Sequence, residues 1–88
     1  MKVEFRKSFE KDLRKLRDRQ TLTRIKDIIY EVEASQNLDK ISNLRKLKTK
    51  GNYYRIRVGD YRIGITVDGG VVNFVRILHR REIYQKFP

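Results

Sequence analysis

From Tyr53 to Val67 apolar and polar side chains alternate. Tyr54, Ile56 and Val58 fall on one side, and Tyr53, Arg55 and Arg57 on the other. After Gly59-Asp60 the alternation resumes, with Tyr61, Ile63, Ile65 and Val67 opposed to Arg62, Gly64 and Thr66. A period of two is that of a pleated strand with one buried face, so this stretch predicts two strands joined by a tight turn. Asp68-Gly69-Gly70 is a second hairpin signal, because these residues tolerate positive φ. Val71 to Leu78 is apolar on both sides apart from Asn73 and Arg76, which predicts a central strand covered on much of both faces.

The N-terminal half has a different period. Lys2 to Phe5 reads as a short strand, with Val3 and Phe5 facing one way. Ser8 is a candidate N-cap, and Phe9, Leu13 and Leu16 then share one helical face. Arg17-Asp18-Arg19-Gln20 interrupts that stripe before Leu22, Ile25, Ile29 and Val32 begin a second one, widened by Ile28. The short break predicts an antiparallel helical hairpin whose charged positions form a solvated outer face. Ser35-Gln36-Asn37 ends the second helix. From Leu38 to Asn52 there is no clear period, and Leu38, Ile41, Leu44 and Leu47 read as anchors tucked beneath a loop. The last residues, from His79 on, predict a single helical turn. Helices before an antiparallel meander predict an α+β fold: one small domain over residues 1–88, with the N-terminal strand and helical hairpin packed on a mainly antiparallel sheet. That leaves the second sheet face to Arg55, Arg57 and Arg62.

Charge sharpens this picture. The chain of 88 residues carries a net charge of +11, distributed unevenly. Residues 1–39 hold 10 Lys/Arg against 8 Asp/Glu, whereas residues 40–88 hold 12 against 3, with no acid between Asp39 and Asp60. A basic half of this kind is an electrostatic footprint for a polyanion or an acidic protein. The charges lie on strands and a loop, not on one amphipathic helix, which argues against a membrane surface. No apolar run is long enough to span a bilayer. With no cysteine and one histidine, thiolate or histidine-cluster metal chemistry is not expected, and neither is a disulfide. The absence of cysteine suits a reducing cytoplasm. A guanidinium is a rigid fork of donors matched to phosphate, so Arg55, Arg57 and Arg62 on one sheet face form a candidate phosphate-binding surface. Gly69-Gly70 is a turn and not a phosphate loop, since no helix follows to offer its N-terminal amides.

Taken together, Leu44-Arg45, then Tyr54-Arg55-Ile56-Arg57-Val58-Gly59-Asp60-Tyr61-Arg62, then Val71 to Leu78 and His79-Arg80-Arg81-Glu82-Ile83-Tyr84 resemble the RelE/ParE superfamily of bacterial and archaeal toxins, most closely its RelE branch. The resemblance runs over essentially the whole chain. It implies a RelE-like fold and a cytoplasmic toxin that enters the ribosomal A site and cuts mRNA. It implies a cofactor-free and metal-free reaction in which the ribose 2′-OH attacks the adjacent phosphate. It also implies a cognate acidic, RelB-like antitoxin, through which alone the toxin meets operator DNA. Position by position, the resemblance places Arg55 and Arg57 at sites often occupied by lysine, Arg62 at the arginine of the Tyr-Arg pair, Arg80 after the last strand and Tyr84 at the C-terminal tyrosine that stacks near the scissile base. The ParE branch shares the fold, poisons a topoisomerase and lacks the nuclease constellation. A same-fold toxin of that kind, or a co-repressor acting only with its antitoxin, is the alternative.

Arginine at positions 55 and 57 surrenders a proton far less readily than lysine. His79, with an ordinary pKa of about 6.5, is therefore the candidate for proton transfer; its bland reading is structural, at the end of a strand. Arg45, Lys46, Lys48, Lys50 and Arg81 are candidate RNA-backbone contacts or merely solvated. Tyr53 is the tyrosine of its cluster expected to be exposed and to meet RNA. Tyr84 either stacks on a base or anchors the C-terminus beside Ile83 and Phe87. If the basic half meets single-stranded RNA, the log–log dependence of affinity on salt should have a slope of about −0.7 per neutralised phosphate. A titration of RNA binding between dilute and physiological salt measures it, and a flat response would remove the electrostatic argument.

Overall fold

The computed structural model describes all 88 residues. In chain order the elements are β1 (Lys2–Phe5), α1 (Lys7–Lys15), α2 (Arg19–Ala34), a 3-10 turn (Leu38–Lys40), β2 (Leu44–Lys46), β3 (Tyr53–Val58), β4 (Tyr61–Asp68), β5 (Val71–His79) and α3 (Arg80–Lys86). The sheet order is β1-β5-β4-β3-β2, with β1 parallel to β5 and every other pair antiparallel. The α+β fold and its antiparallel meander are therefore as the sequence predicts.

The alternation in β3 and β4 survives intact. Ile56 pairs with Ile63 and Tyr54 with Ile65, on the face covered by α1 and α2. Phe9 of α1, Ile25 and Val32 of α2, and Ile56, Ile63, Ile65, Val72, Phe74 and Ile77 of the sheet join one core. Phe5, Phe9 and Phe74 pack ring to ring at 5.5–5.8 Å between centroids, tying β1 and α1 to β5.

Strand β5 departs from simple alternation. Phe74 and Ile77 are three residues apart, of opposite parity, and both are buried. The register explains it: Ile65 faces Phe74 and Gly64 faces Arg76, so Val75 is an extra residue, a bulge. An unpaired residue inserted here returns Ile77 to the core face opposite Ile63. The apolar character of β5 on both sides reflects this bulge as well as its central position.

The bulge falls where β1 ends, so β5 loses its parallel neighbour there and its backbone needs other partners. Helix α1 supplies them. The Ser8 hydroxyl donates to the Val75 carbonyl at 2.6 Å, and one turn later the Asp12 carboxylate accepts the Ile77 N–H at 3.0 Å. Asp12 also accepts two bonds from Arg76, at 2.8 Å from Nε and 3.1 Å from Nη2. These findings correct two expectations. Ser8 is not the N-cap, since α1 begins at Lys7 behind Arg6 with no side-chain cap. Asp12 is not part of a solvated outer face but is buried, because a carboxylate that accepts three bonds replaces its water shell.

Helix α2 is capped by Asp18, whose carboxylate accepts from the backbone N–H groups of Gln20 and Thr21 and from the Thr21 hydroxyl. In the loop that follows, Leu38 and Ile41 are buried as expected, but Leu44–Lys46 forms an edge strand that the sequence pattern does not announce. Three residues are too few to display a period.

Asp12→Ala should cost about 2–4 kcal/mol, because it leaves Arg76 and the Ile77 N–H without their acceptor; urea denaturation measures it. Asp18 behaves differently with pH. Its bonds to Thr21 hold its carboxyl below the ordinary range. Its contribution is thus present above about pH 4, the unfolded-state value, and fades as acid titrates the folded carboxylate. The stability gap between the wild type and Asp18→Ala should accordingly narrow from pH 7 to pH 3.

Candidate functional site

The sheet face turned away from α1 and α2 is only partly covered. Helix α3 crosses it with Ile83 and Phe87 buried against the strands. Phe87 lies flat on β4 at Gly64, where a Cβ would come within 2.7 Å of the ring. Glycine is required there for close approach. This docking leaves Tyr84, which is 61% exposed, standing over the remaining open strip.

That strip carries the arginines. Residues directly opposite on neighbouring strands share a face, and the pairs here are Arg45 with Arg55 and Arg57 with Arg62. Like charges in that position are destabilising, on the order of a few tenths to 1 kcal/mol per pair. No carboxylate relieves them. The four arginines, with Asn43, Leu44 and Tyr84, line a depression of about 320 Å³.

Each guanidinium in the centre of the strip is held by a neutral partner. Arg62 Nη1 donates to the Gly59 and Tyr61 carbonyls, both at 2.8 Å. Gly59 adopts φ +59° in the two-residue β3–β4 turn, a conformation that suits glycine at the first position of a type II′ turn. Arg55 lies 4.5 Å from the centroid of the Tyr84 ring, a cation–π contact. Arg57 Nη2 donates to Asn43 Oδ1 at 3.2 Å, and the Arg57 N–H donates to the Asn43 carbonyl at 3.1 Å. Asn43 sits at φ +63°, the left-handed region, which asparagine tolerates better than most residues. It belongs to the site and was missed in the sequence, where Asn-Leu inside an aperiodic loop is no signal. Arg76 makes the contrast: its charge is spent on Asp12, whose hydrogen bonds raise its pKa further.

The remaining candidates are distributed as follows. His79 lies outside the arginine depression. Its Nδ1 accepts the Arg81 N–H at 3.2 Å as the N-cap of α3, and its ring meets Tyr61 edge-on at 5.7 Å. It lines a separate hollow with Asp12, Lys15 and Glu82. Arg80 and Arg81 are exposed at the start of α3, with Arg80 one helical turn before Tyr84. Lys46 and Lys48 line an adjoining hollow that shares Arg45 and Arg55 with the central one. Lys50 is exposed on the loop beyond. Tyr53 is half-buried and packs edge-on against Phe87 at 5.7 Å, so its ring is engaged in holding α3.

Comparison with known proteins places this arrangement. Residues 3–84 match the family described as ParE toxin of type II toxin-antitoxin system, parDE. Toxin RelE3 of Methanocaldococcus jannaschii is 48% identical over an aligned span of 89 positions that covers 100% of both chains. The chain belongs to the RelE/ParE superfamily. It is a RelE-type toxin of a type II toxin–antitoxin system. The crystal structure of a RelB–RelE antitoxin–toxin complex from Methanococcus jannaschii superposes with a TM-score of 0.82 at 48% identity, over 96% of this chain and 98% of that one. An archaeal RelE–RelB complex from Pyrococcus horikoshii OT3 shares the fold, with a TM-score of 0.73 at 24% identity over 90% and 93% of the two chains. The YoeB–YefM complex of Staphylococcus aureus shares it too, with a TM-score of 0.71 at 18% identity over 91% and 97%.

The seat of Phe87 on Gly64 is expected to set Tyr84 over the arginine strip of this RelE-type toxin. Gly64→Ala should therefore lower stability by about 1–3 kcal/mol through overpacking and shift the Tyr84 ring resonances. Denaturation and NMR spectra measure the two effects.

Proposed function

We propose that this toxin is a metal-independent mRNA endoribonuclease that acts on translating ribosomes and cuts by attack of a ribose 2′-OH. The observation that carries the reading is the two cross-strand arginine–arginine pairs on β2, β3 and β4, with no acid among them. A sheet that needed only to be soluble gains nothing from facing like charges. An RNA phosphate placed between them relieves the repulsion, and its developing charge relieves it further.

In the reaction the 2′-oxygen bonds to phosphorus, the P–O5′ bond breaks, and a 2′,3′-cyclic phosphate and a 5′-OH result. Arg57 and Arg62 are suited to hold the phosphorane oxygens, being fixed in advance by Asn43 and the β3–β4 turn. Such preorganised donors are often the largest contribution to rate. Tyr84 offers an exposed ring to a base, a sequence-tolerant contact, while its other face steadies Arg55. Arg80, at the start of α3 and one turn before Tyr84, supplies a further cation for the same strand. His79 is engaged as a helix cap outside the depression, so the 2′ proton passes to water and the 5′-oxygen is protonated from solvent. No group of three His, Cys, Asp or Glu side chains is arranged to hold a metal, so a chelator is expected to leave cleavage intact.

The partner in this reading is a RelB-like antitoxin of acidic character, as RelB accompanies RelE in the similar complexes. The exposed Phe5 and Tyr30 offer apolar contact beside the helices. Operator DNA is met through that complex, and the ribosome sets the place of action in the cytoplasm. No helix is long and apolar enough to cross a membrane. The family description as a ParE toxin favours one second reading, action on a topoisomerase.

Induction without a partner, followed by mapping of transcript ends, separates the two readings. New ends confined to translated regions are the expected outcome; intact transcripts with broken DNA would support the ParE-like one. In single-turnover cleavage on programmed ribosomes, Arg62→Ala should lower the rate on the order of a hundredfold or more at saturation. The rate should rise with pH through neutrality with no break near about 6.5, the ordinary histidine value. His79→Ala should keep that profile and lose stability. A bell-shaped profile abolished by His79→Ala would restore histidine as the proton-transfer group.

A further inference from the structure

The arginine depression is not closed. Through Arg45 and Arg55 it continues into the hollow beside Lys46 and Lys48. In the other direction, through Asn43 and Arg57, it opens into a hollow of about 300 Å³ between α2 and the β3–β4 turn, where Arg24 and Asp27 of α2 face Val58 and Gly59. Three hollows in a row thus cross β2, the arginine strip and α2. Asp27 is the one carboxylate among their linings.

We infer that the RNA strand bound in the arginine pocket continues over Asn43 onto helix α2, where Arg24 binds its backbone phosphate. This rests on the nuclease reading above. Arg24 is exposed and makes no ion pair, although Asp27 lies one turn away on the same helix. Its Nη1 stands 3.4 Å from where a Cβ on Gly59 would be, against the same turn whose carbonyl holds Arg62. The two guanidiniums therefore flank Gly59. One serves the pocket; the other, which feels the charge of Asp18 but makes no ion pair, is available to the next stretch of chain. Asn43 joins the two hollows: its Oδ1 is used by Arg57, which leaves its amide N–H groups as donors along the path. Contacts of this kind position a strand without reading its sequence.

The test uses programmed ribosomes. Arg24→Ala should raise the toxin concentration for half-maximal cleavage several-fold and reduce the magnitude of the salt slope by about 0.7. The single-turnover rate at saturation should be unchanged, and Arg24→Lys should restore binding. Asp27→Asn should lower the half-maximal concentration, because it removes the only acid from the path. Lys26→Ala, on the same helix outside the hollow, should alter neither quantity. A photocrosslinking residue in place of Arg24 should attach to mRNA within a few nucleotides of the cut. Crosslinks to ribosomal RNA alone, wild-type half-saturation in Arg24→Ala, or weaker binding in Asp27→Asn would each overturn the inference. Arg57→Ala, run in parallel, separates the two levels. If it cuts like the wild type, the arginine pocket is not where the RNA is cut and the path drawn from it fails as well, whereas a wild type that does not cut programmed ribosomes removes the nuclease reading itself. If it is inactive while Arg24→Ala is normal, only the path onto α2 is lost.

Discussion

The carboxylate of Asp12 is the joint on which the structure turns. β1 is four residues long and β5 nine, so β5 outruns its parallel neighbour by more than half its length. The exposed backbone that results needs partners, and the chain that has just left β1 turns into α1 and provides them. Ser8 and Asp12, one helical turn apart, meet the Val75 carbonyl and the Ile77 N–H at and beyond the bulge. Asp12 fastens Arg76 in the same act. One side chain thereby secures a helix to a strand, satisfies the bulged edge and neutralises one of the sheet's arginines. A buried carboxylate is tolerable only because all these donors converge on it.

Neutralising Arg76 leaves the other sheet arginines conspicuous. Arg45, Arg55, Arg57 and Arg62 face one another without acid, and the fold supports them by other means. Carbonyl oxygens of a glycine turn, an asparagine in a left-handed conformation and the face of a tyrosine all stabilise a guanidinium without cancelling its charge. The consequence is a site oriented in advance and still fully cationic. Stabilisation of an anion then requires little reorganisation. The cost is borne as cross-strand repulsion, which the apolar core beneath Ile56 and Ile63 offsets.

The C-terminal helix completes the site from outside the sheet. Seven residues do not make a stable helix alone, so α3 depends on its docking. Ile83 and Phe87 bury, Gly64 makes room for the ring, Tyr53 braces it from the edge and His79 caps the first turn. Tyr84 projects over Arg55 as a result. His79 and Tyr53, candidates in the sequence for proton transfer and RNA contact, also contribute to the position of Tyr84 over the open strip.

The strands β3, β4 and β5, the two long helices and the α+β class were legible in the sequence, because period-2 and period-3.6 patterns over six or more residues report which face is buried. So was the gathering of Arg55, Arg57 and Arg62, since strand parity alone assigns them to one face once the turn at Gly59-Asp60 is recognised. What parity cannot express is a relation between distant residues. Asp12 reads as one more charge on a helix until β5 is seen to run past β1. Gly64 reads as a weak point in a strand until Phe87 is placed upon it. Asn43 is silent until its backbone turns left-handed beneath Arg57, and Arg24 until α2 is laid beside the β3–β4 turn. The local patterns are written by burial, which each residue experiences alone. These contacts arise only when separate elements are docked, and only the tertiary structure decided them.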